Sequence, residues 1–249
     1  MLPVLALLFG ARLAAADDPP EYPVPLIDRP LALNKGTFQA MAALDIFHLG
    51  NVPDGVSSTA ESLTFGGDYT LLRDLQVGAV ASVQISPSSE LSLLSASGQY
   101  AFFKFAAIRV DAGVTKDSQT HGLFAAGLPI RLKLTDMVAF VSGRPYAWGV
   151  EDDILAAHVG NGTTTELHIP AGVMIELTPR ISVTARTGFR TVSGGGNTAS
   201  FVPLGVDAII TTNRLDFGLM LDIAGQISPD MAPGYFDLLR FRVFAQLRI

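Results

Sequence analysis

Four histidines, His48, His121, His158 and His168, are the side chains here that exchange a proton near neutral pH, and the chain has no cysteine. A hydrolase built on one of them needs a nucleophile and an orienting acid within hydrogen-bond reach. No serine stands in a nucleophile elbow, and no lipid-deacylase motif accompanies the histidines. His48 falls on an apolar stripe, and His121 and His158 fall in loop-like sequence. His168 shares a strand face with Glu166, roughly toward Arg190, where it reads as a hydrogen-bonding residue rather than a base. The run Glu151-Asp152-Asp153 concentrates carboxylate, but it lacks the spaced ligands and turn glycine of a calcium loop and reads as a solvated charge run. The glycine-rich SGGGN at 193–197 has no following Lys-Ser/Thr, so it does not follow the phosphate-loop pattern. These readings assign no catalytic residue, no metal ligand and no cofactor, and the chain is not read as an enzyme.

Charge is placed far more regularly than any of these groups. The chain ends in FDLLRFRVFAQLRI, where Leu239, Phe241, Val243, Ala245, Leu247 and Ile249 alternate with Arg240, Arg242, Phe244, Gln246 and Arg248. Alternation of this kind is the period of a β-strand, in which successive side chains point to opposite faces. It recurs along the chain. Apolar sets with period two are Phe38 to Ile46, Leu63 to Leu71, Val77 to Ile85, Ile108 to Val114, Phe124 to Leu134, Leu167 to Leu177, Ile181 to Phe189, Val202 to Ile210 and Leu215 to Ile223. A segment at 91–105 changes face, which predicts a bulge near Ser95 to Gly98, and a short segment covers 137–148. The count is twelve strands, each near the length that crosses a bilayer when tilted.

The connections alternate too. Tight links are predicted at 72–74, near Ala106, and at 135–136, 179–180 and 212–213. Links at 49–60, 115–121, 145–163, 191–200 and 226–235 are longer and richer in Gly, Pro and Asp, and only that around 86–89 is short on the same side. The chain is 249 residues long, 49% apolar and −6 in formal charge, yet has no apolar run long enough for a membrane helix. The negative charge argues against a nucleic-acid partner. These features predict an all-β chain, a membrane-spanning antiparallel up-and-down β-barrel of about twelve strands.

In lipid, the apolar stripes face acyl chains and the charges face the lumen, because arginine or lysine on the lipid face at mid-membrane costs about 2–4 kcal/mol. The inward set then holds Arg109, Arg131, Lys133, Arg186, Arg190, Arg240, Arg242 and Arg248 against Asp45, Asp68, Asp111, Glu166, Glu176, Asp207, Asp216 and Asp222. Hairpin geometry sets Asp222 about opposite Arg240 and Arg186 about opposite Asp207, so cross-strand ion pairs are expected. Candidate pore-lining residues are Arg109, Asp111, Arg131, Lys133, His168, Arg186, Arg190, Asp207, Asp222, Arg240 and Arg242. Tyr146, Trp148, Phe189, Tyr235 and Phe236 toward the long loops, and Tyr69 and Phe217 toward the tight turns, fit two aromatic girdles.

Over residues 36–249 the chain resembles the bacterial outer-membrane β-barrel superfamily, through the strand pattern, the turn alternation and the terminal strand LRFRVFAQLRI, which departs from the usual aromatic end at Ile249. MLPVLALLFGARLAAADD adds an apolar core and Ala14-Ala15-Ala16, read as a signal peptide over 1–16. Residues 17–35 hold five prolines and read as an extended periplasmic leader or tether. The resemblance implies the bacterial outer membrane as location, with its lipid and lipopolysaccharide as surroundings and the barrel-assembly machinery as partner during insertion. It also implies a porin-like passive channel for small polar solutes. The alternative is an occluded barrel, closed by ion pairs or by the leader folding into the lumen, whose loops bind a partner or an envelope component.

Overall fold

The computed structural model describes residues 23–50, 58–116, 120–142, 164–194, 197–223, 225 and 238–249. Their strand segments are β1 (Phe38–Leu49), β2 (Thr59–Leu72), β3 (Leu75–Ser86), β4 (Glu90–Phe103), β5 (Ala106–Lys116), β6 (Thr120–Gly127), β7 (Ile130–Lys133), β8 (Val138–Ser142), β9 (Thr164–Thr178), β10 (Ile181–Gly194), β11 (Asn197–Phe201), β12 (Leu204–Thr211), β13 (Leu215–Ile223) and β14 (Leu238–Arg248). Neighbours pair antiparallel along the chain, and β14 returns to pair with β1, from Gln39 opposite Arg248 to Leu49 opposite Leu238. The seam continues past the ladder, where Phe38 N donates to Ile249 O at 2.9 Å and Ile249 N to Phe38 O at 2.8 Å. The sheet thus closes on itself, as a hydrocarbon surrounding requires, and among the described residues only β6 and β11, toward the longer links, pair on one side alone.

Two pairs of segments are single barrel strands. β6 ends on β5 with Arg109 opposite Gly127, and β7 resumes with Ala106 opposite Ile130 in the same register. Pro129 lies between them; it has no N–H to give, while its carbonyl still accepts from Ala107 N at 3.0 Å. β11 and β12 share one register on β10 in the same way, interrupted at Val202-Pro203. Among the described residues the barrel therefore has twelve strands, as the sequence predicts.

The faces follow the expected sense. Phe65, Ile108, Ile169, Val206, Phe217 and Leu219 are 44–51% exposed, whereas Asp45, Asp111, Asp207 and Asp216 are no more than 3% exposed. That is the inverse of a water-soluble sandwich and is the arrangement of a barrel whose exterior meets lipid. The tight turns lie at 73–74, 104–105, 134–137, 179–180 and 212–214, matching the five predicted links.

Three details differ from the sequence reading. In β4 the extra residues are Ser92 and Phe102, not a site within Ser95 to Gly98, which pairs regularly. The bulge at Ser92 lets Leu91 as well as Leu94 face outward, and that at Phe102 does the same for both Phe102 and Phe103. The links at 115–121 and 191–200 are mostly strand. The β10–β11 hairpin continues beyond the apolar belt, with hydroxyl pairs Thr191–Ser200 at 3.4 Å and Ser193–Thr198 at 3.0 Å across it. His121 is accordingly the second residue of β6, on its inward face, and not a loop residue. The segment 1–16, His158, the run Glu151-Asp152-Asp153, Tyr146, Trp148, Tyr235 and Phe236 lie outside the described residues.

Candidate functional site

The charged residues singled out by alternation all occupy inward positions, and most of them meet as ion pairs. Asp45 on β1 accepts from Arg240 Nε at 2.9 Å and Arg242 Nε at 2.7 Å. The Arg240 guanidinium also lies 4.9 Å from the centre of the Phe47 ring, a cation–π distance. Arg190 Nε is 2.6 Å from Glu166 Oε1, and His168 stands directly across the ladder from Arg190. Arg109 and Asp111 pair along one strand face, two residues apart, at 2.9 Å.

The predicted register of Asp222 opposite Arg240 is observed. That of Arg186 opposite Asp207 is corrected: Arg186 faces Gly205, and Asp207 faces Thr184. The ion pair forms along the diagonal, with Arg186 Nε and Nη2 each 2.7 Å from Asp207, and Nη2 also meets Asp222. Gly205 makes this possible, because a Cβ there would stand 2.6 Å from Arg186 Nη2. Backbone register alone does not choose the partner of a side chain as long as arginine.

The inner wall is not polar throughout, which corrects the expected lining. Met41 and Ala43 on β1, Val80 on β3, Ala139 and Val141 on β8, Met174 on β9, Ile209 on β12, Met220 on β13 and Phe244 on β14 form an apolar cluster inside the barrel. Leu26 and Ile27, from the segment before β1, belong to the same cluster and are 1% and 4% exposed. Residues 23–35 are thus not a tether outside the barrel. They occupy its tight-turn end, with a single 3-10 turn at Leu26–Asp28.

Side chains from six of the twelve strands hold this segment. Arg131 on β7 donates to the carbonyls of Leu26 at 2.8 Å and Arg29 at 2.7 Å. Glu176 on β9 accepts from Ile27 N at 2.8 Å. Gln99 on β4 donates to Leu31 O at 2.7 Å, Gln76 on β3 accepts from Leu33 N at 3.2 Å, and Thr211 on β12 donates to Val24 O at 2.9 Å. Arg29 Nη1 lies 2.6 Å from Asp216 Oδ2 on β13, a carboxylate that also takes Arg248 of β14. At the rim, Lys133 Nζ is 2.7 Å from Asp28.

Burying Leu26 and Ile27 contributes about 1.5–3 kcal/mol each. The buried Arg29 pair is close to neutral once desolvation is counted, so the apolar pair drives insertion and the polar contacts fix position. Pro23, Pro25 and Pro30 bring no N–H to be satisfied and lower the entropy lost on ordering. Sequence reasoning assigned no role to Gln76, Gln99 and Thr211. The available signal was the apolar residues on nominally inward positions, such as Met174, Ile209 and Phe244.

A closed antiparallel barrel of twelve strands, apolar outside and charged within, has the architecture of a transmembrane β-barrel. Solved structures agree in fold. The KdgM porin is similar with a TM-score of 0.53 at 7% identity, over 83% of this chain and 98% of that one. The NanC porin is similar with a TM-score of 0.50 at 8% identity, over 85% of this chain and all (100%) of that one. The COG4313 outer membrane channel from Pseudomonas putida F1 is similar with a TM-score of 0.50 at 10% identity, over 94% of this chain and 100% of that one. No family model and no curated protein matches the sequence.

Proposed function

We propose that the chain is a porin-like channel that carries small hydrophilic solutes across the bacterial outer membrane by passive diffusion, without catalysis. The observation that carries this reading is the make-up of the inner wall toward the longer links. There Asp45, Arg240, Arg242, Arg186 and Asp222 are satisfied by one another. On the adjoining wall, β2 to β4 present Ser62, Thr64, Ser82, Gln84, Ser95 and Ser97 on their inner faces. Paired charge beside hydroxyl and amide groups offers hydrogen bonds to polar solutes without a strong net field. One solved form of the KdgM porin is in complex with disordered oligogalacturonate, which supports a hydroxyl-rich solute for this fold. The candidate lining comprises Arg109, Asp111, Arg131, Lys133, His168, Arg186, Arg190, Asp207, Asp222, Arg240 and Arg242. Around the apolar belt, the proposed partners are outer-membrane lipid and lipopolysaccharide, with the barrel-assembly machinery acting on β14 during insertion.

The test is single-channel recording of the refolded protein in a planar bilayer, where discrete conductance steps are expected. The reading falls if a demonstrably folded barrel is silent both as wild type and with the contacts of residues 23–35 removed.

A further inference from the structure

We infer that the tight-turn mouth of the barrel is a peptide-binding site, filled by residues 23–35 of the same chain, and that its occupancy sets the conductance of the channel. This rests on the channel reading above. The groups that hold the segment sit on β3, β4, β7, β9, β12 and β13, which lie on different sides of the closed sheet. A chain segment bonded to all of them crosses the lumen rather than following one wall.

The chemistry is that of a reversible ligand site. Gln76, Gln99, Arg131, Glu176 and Thr211 contact main-chain N–H and C=O groups of the segment. The side chains recognised are two adjacent apolar residues, Leu26 and Ile27, seated in the apolar cluster inside the barrel, and one cation, Arg29, on Asp216. The ligand class is therefore a short proline-spaced peptide with an apolar pair followed by a cation. The barrel is also built to lose it. Asp216 keeps Arg248 when Arg29 leaves, so release does not orphan the buried carboxylate. The segment joins β1 through Gly36, whose φ of 81° is a left-handed conformation suited to glycine at a sharp change of direction.

The experiment uses the full-length protein carrying Leu26→Asn, Ile27→Asn and Arg29→Ala together, and Arg29→Ala alone should the triple variant not refold. Folding is checked by heat-modifiable gel mobility. Bilayer recordings should give a several-fold larger conductance or open fraction than wild type. A synthetic peptide of residues 23–35, added on the tight-turn side, should reverse the gain, and the same peptide with Arg29→Ala should lose that block. Equal conductance in wild type and variants would overturn the inference while leaving a channel. A gain that the peptide does not reverse would overturn the binding site. Folded barrels silent in both forms would overturn the channel reading and this inference with it.

Discussion

At the scale of single residues, the lumen is a set of charges whose positions are legible in the sequence and whose partners are not. Alternation places Arg186 inward, but its contacts depend on Gly205, which leaves space for the guanidinium between Asp207 and Asp222. Gly205→Val should dislodge Arg186 and destabilise the barrel by about 1–3 kcal/mol, the cost of leaving a buried polar group unsatisfied. Gly98→Ala should change stability little, because nothing lies within 4 Å of the added methyl. Urea unfolding of the two variants in lipid vesicles, followed by tryptophan fluorescence, checks the contrast. Asp45 is the second focus, since Arg240 and Arg242 share it. Asp45→Ala should cost about 3–5 kcal/mol, as breaking a buried ion pair does, with Arg240 at the wetter side offsetting part of it. Asp45→Ala combined with Arg242→Met should recover some of the loss in the same assay. If the single and double variants unfold alike, Arg242 is not bound through Asp45 in solution.

At the scale of elements, hydrophobic alternation located all the tight turns and assigned the lipid face, because a one-residue slip would turn a whole strand inside out. The bulges at Ser92 and Phe102 were harder to place, since an apolar doublet marks that a face changes but not which residue is extra. Pro129 and Pro203 break the ladder without breaking register, a distinction that depends on the neighbouring strands and not on the proline itself. The lengths of the β5–β6 and β10–β11 links were missed because Thr, Ser and Gly serve a hairpin tip as well as a loop. The assignment of faces has a direct test. Val173→Arg and Val206→Arg, both on exposed outward positions, should each cost about 2–4 kcal/mol and sharply reduce the folded fraction. Ser97→Arg, on an inward position near Asp68, should assemble at close to wild-type yield. Comparable yields for all three, read from heat-modifiable mobility after refolding into vesicles, would invert the faces drawn for β4, β9 and β12.

At the scale of the whole molecule, two layers stand in series along the lumen. One is the inner apolar cluster that receives Leu26 and Ile27; the other is the network of ion pairs around Asp45, Asp207 and Asp222. The second layer was foreseen from counting charge, and the first was hidden because an inward apolar residue looks the same in sequence as a strand with both faces buried. The pairing bears on ion selectivity. Opposite charges in contact cancel at a distance beyond a few ångströms, so a wild-type pore with this lining should discriminate weakly between potassium and chloride. The balance is open to change at one point more than elsewhere. The Arg190 side chain is 38% exposed while its partner Glu166 is 5% exposed, so the cation reaches the aqueous space and the carboxylate lies behind it. Glu166→Gln removes the neutralising charge and keeps the shape and the hydrogen-bond acceptor, leaving a net positive element at the wall. The reversal potential under a KCl gradient should then shift toward chloride, with Asp222→Asn adding to the shift by exposing more of the Arg186 charge. Glu166→Gln should also make the permeability ratio more sensitive to salt, because an unneutralised charge acts over a Debye length that shrinks as salt rises. A reversal potential unchanged by both substitutions, in a channel that still conducts, would mean that ions do not pass along this wall.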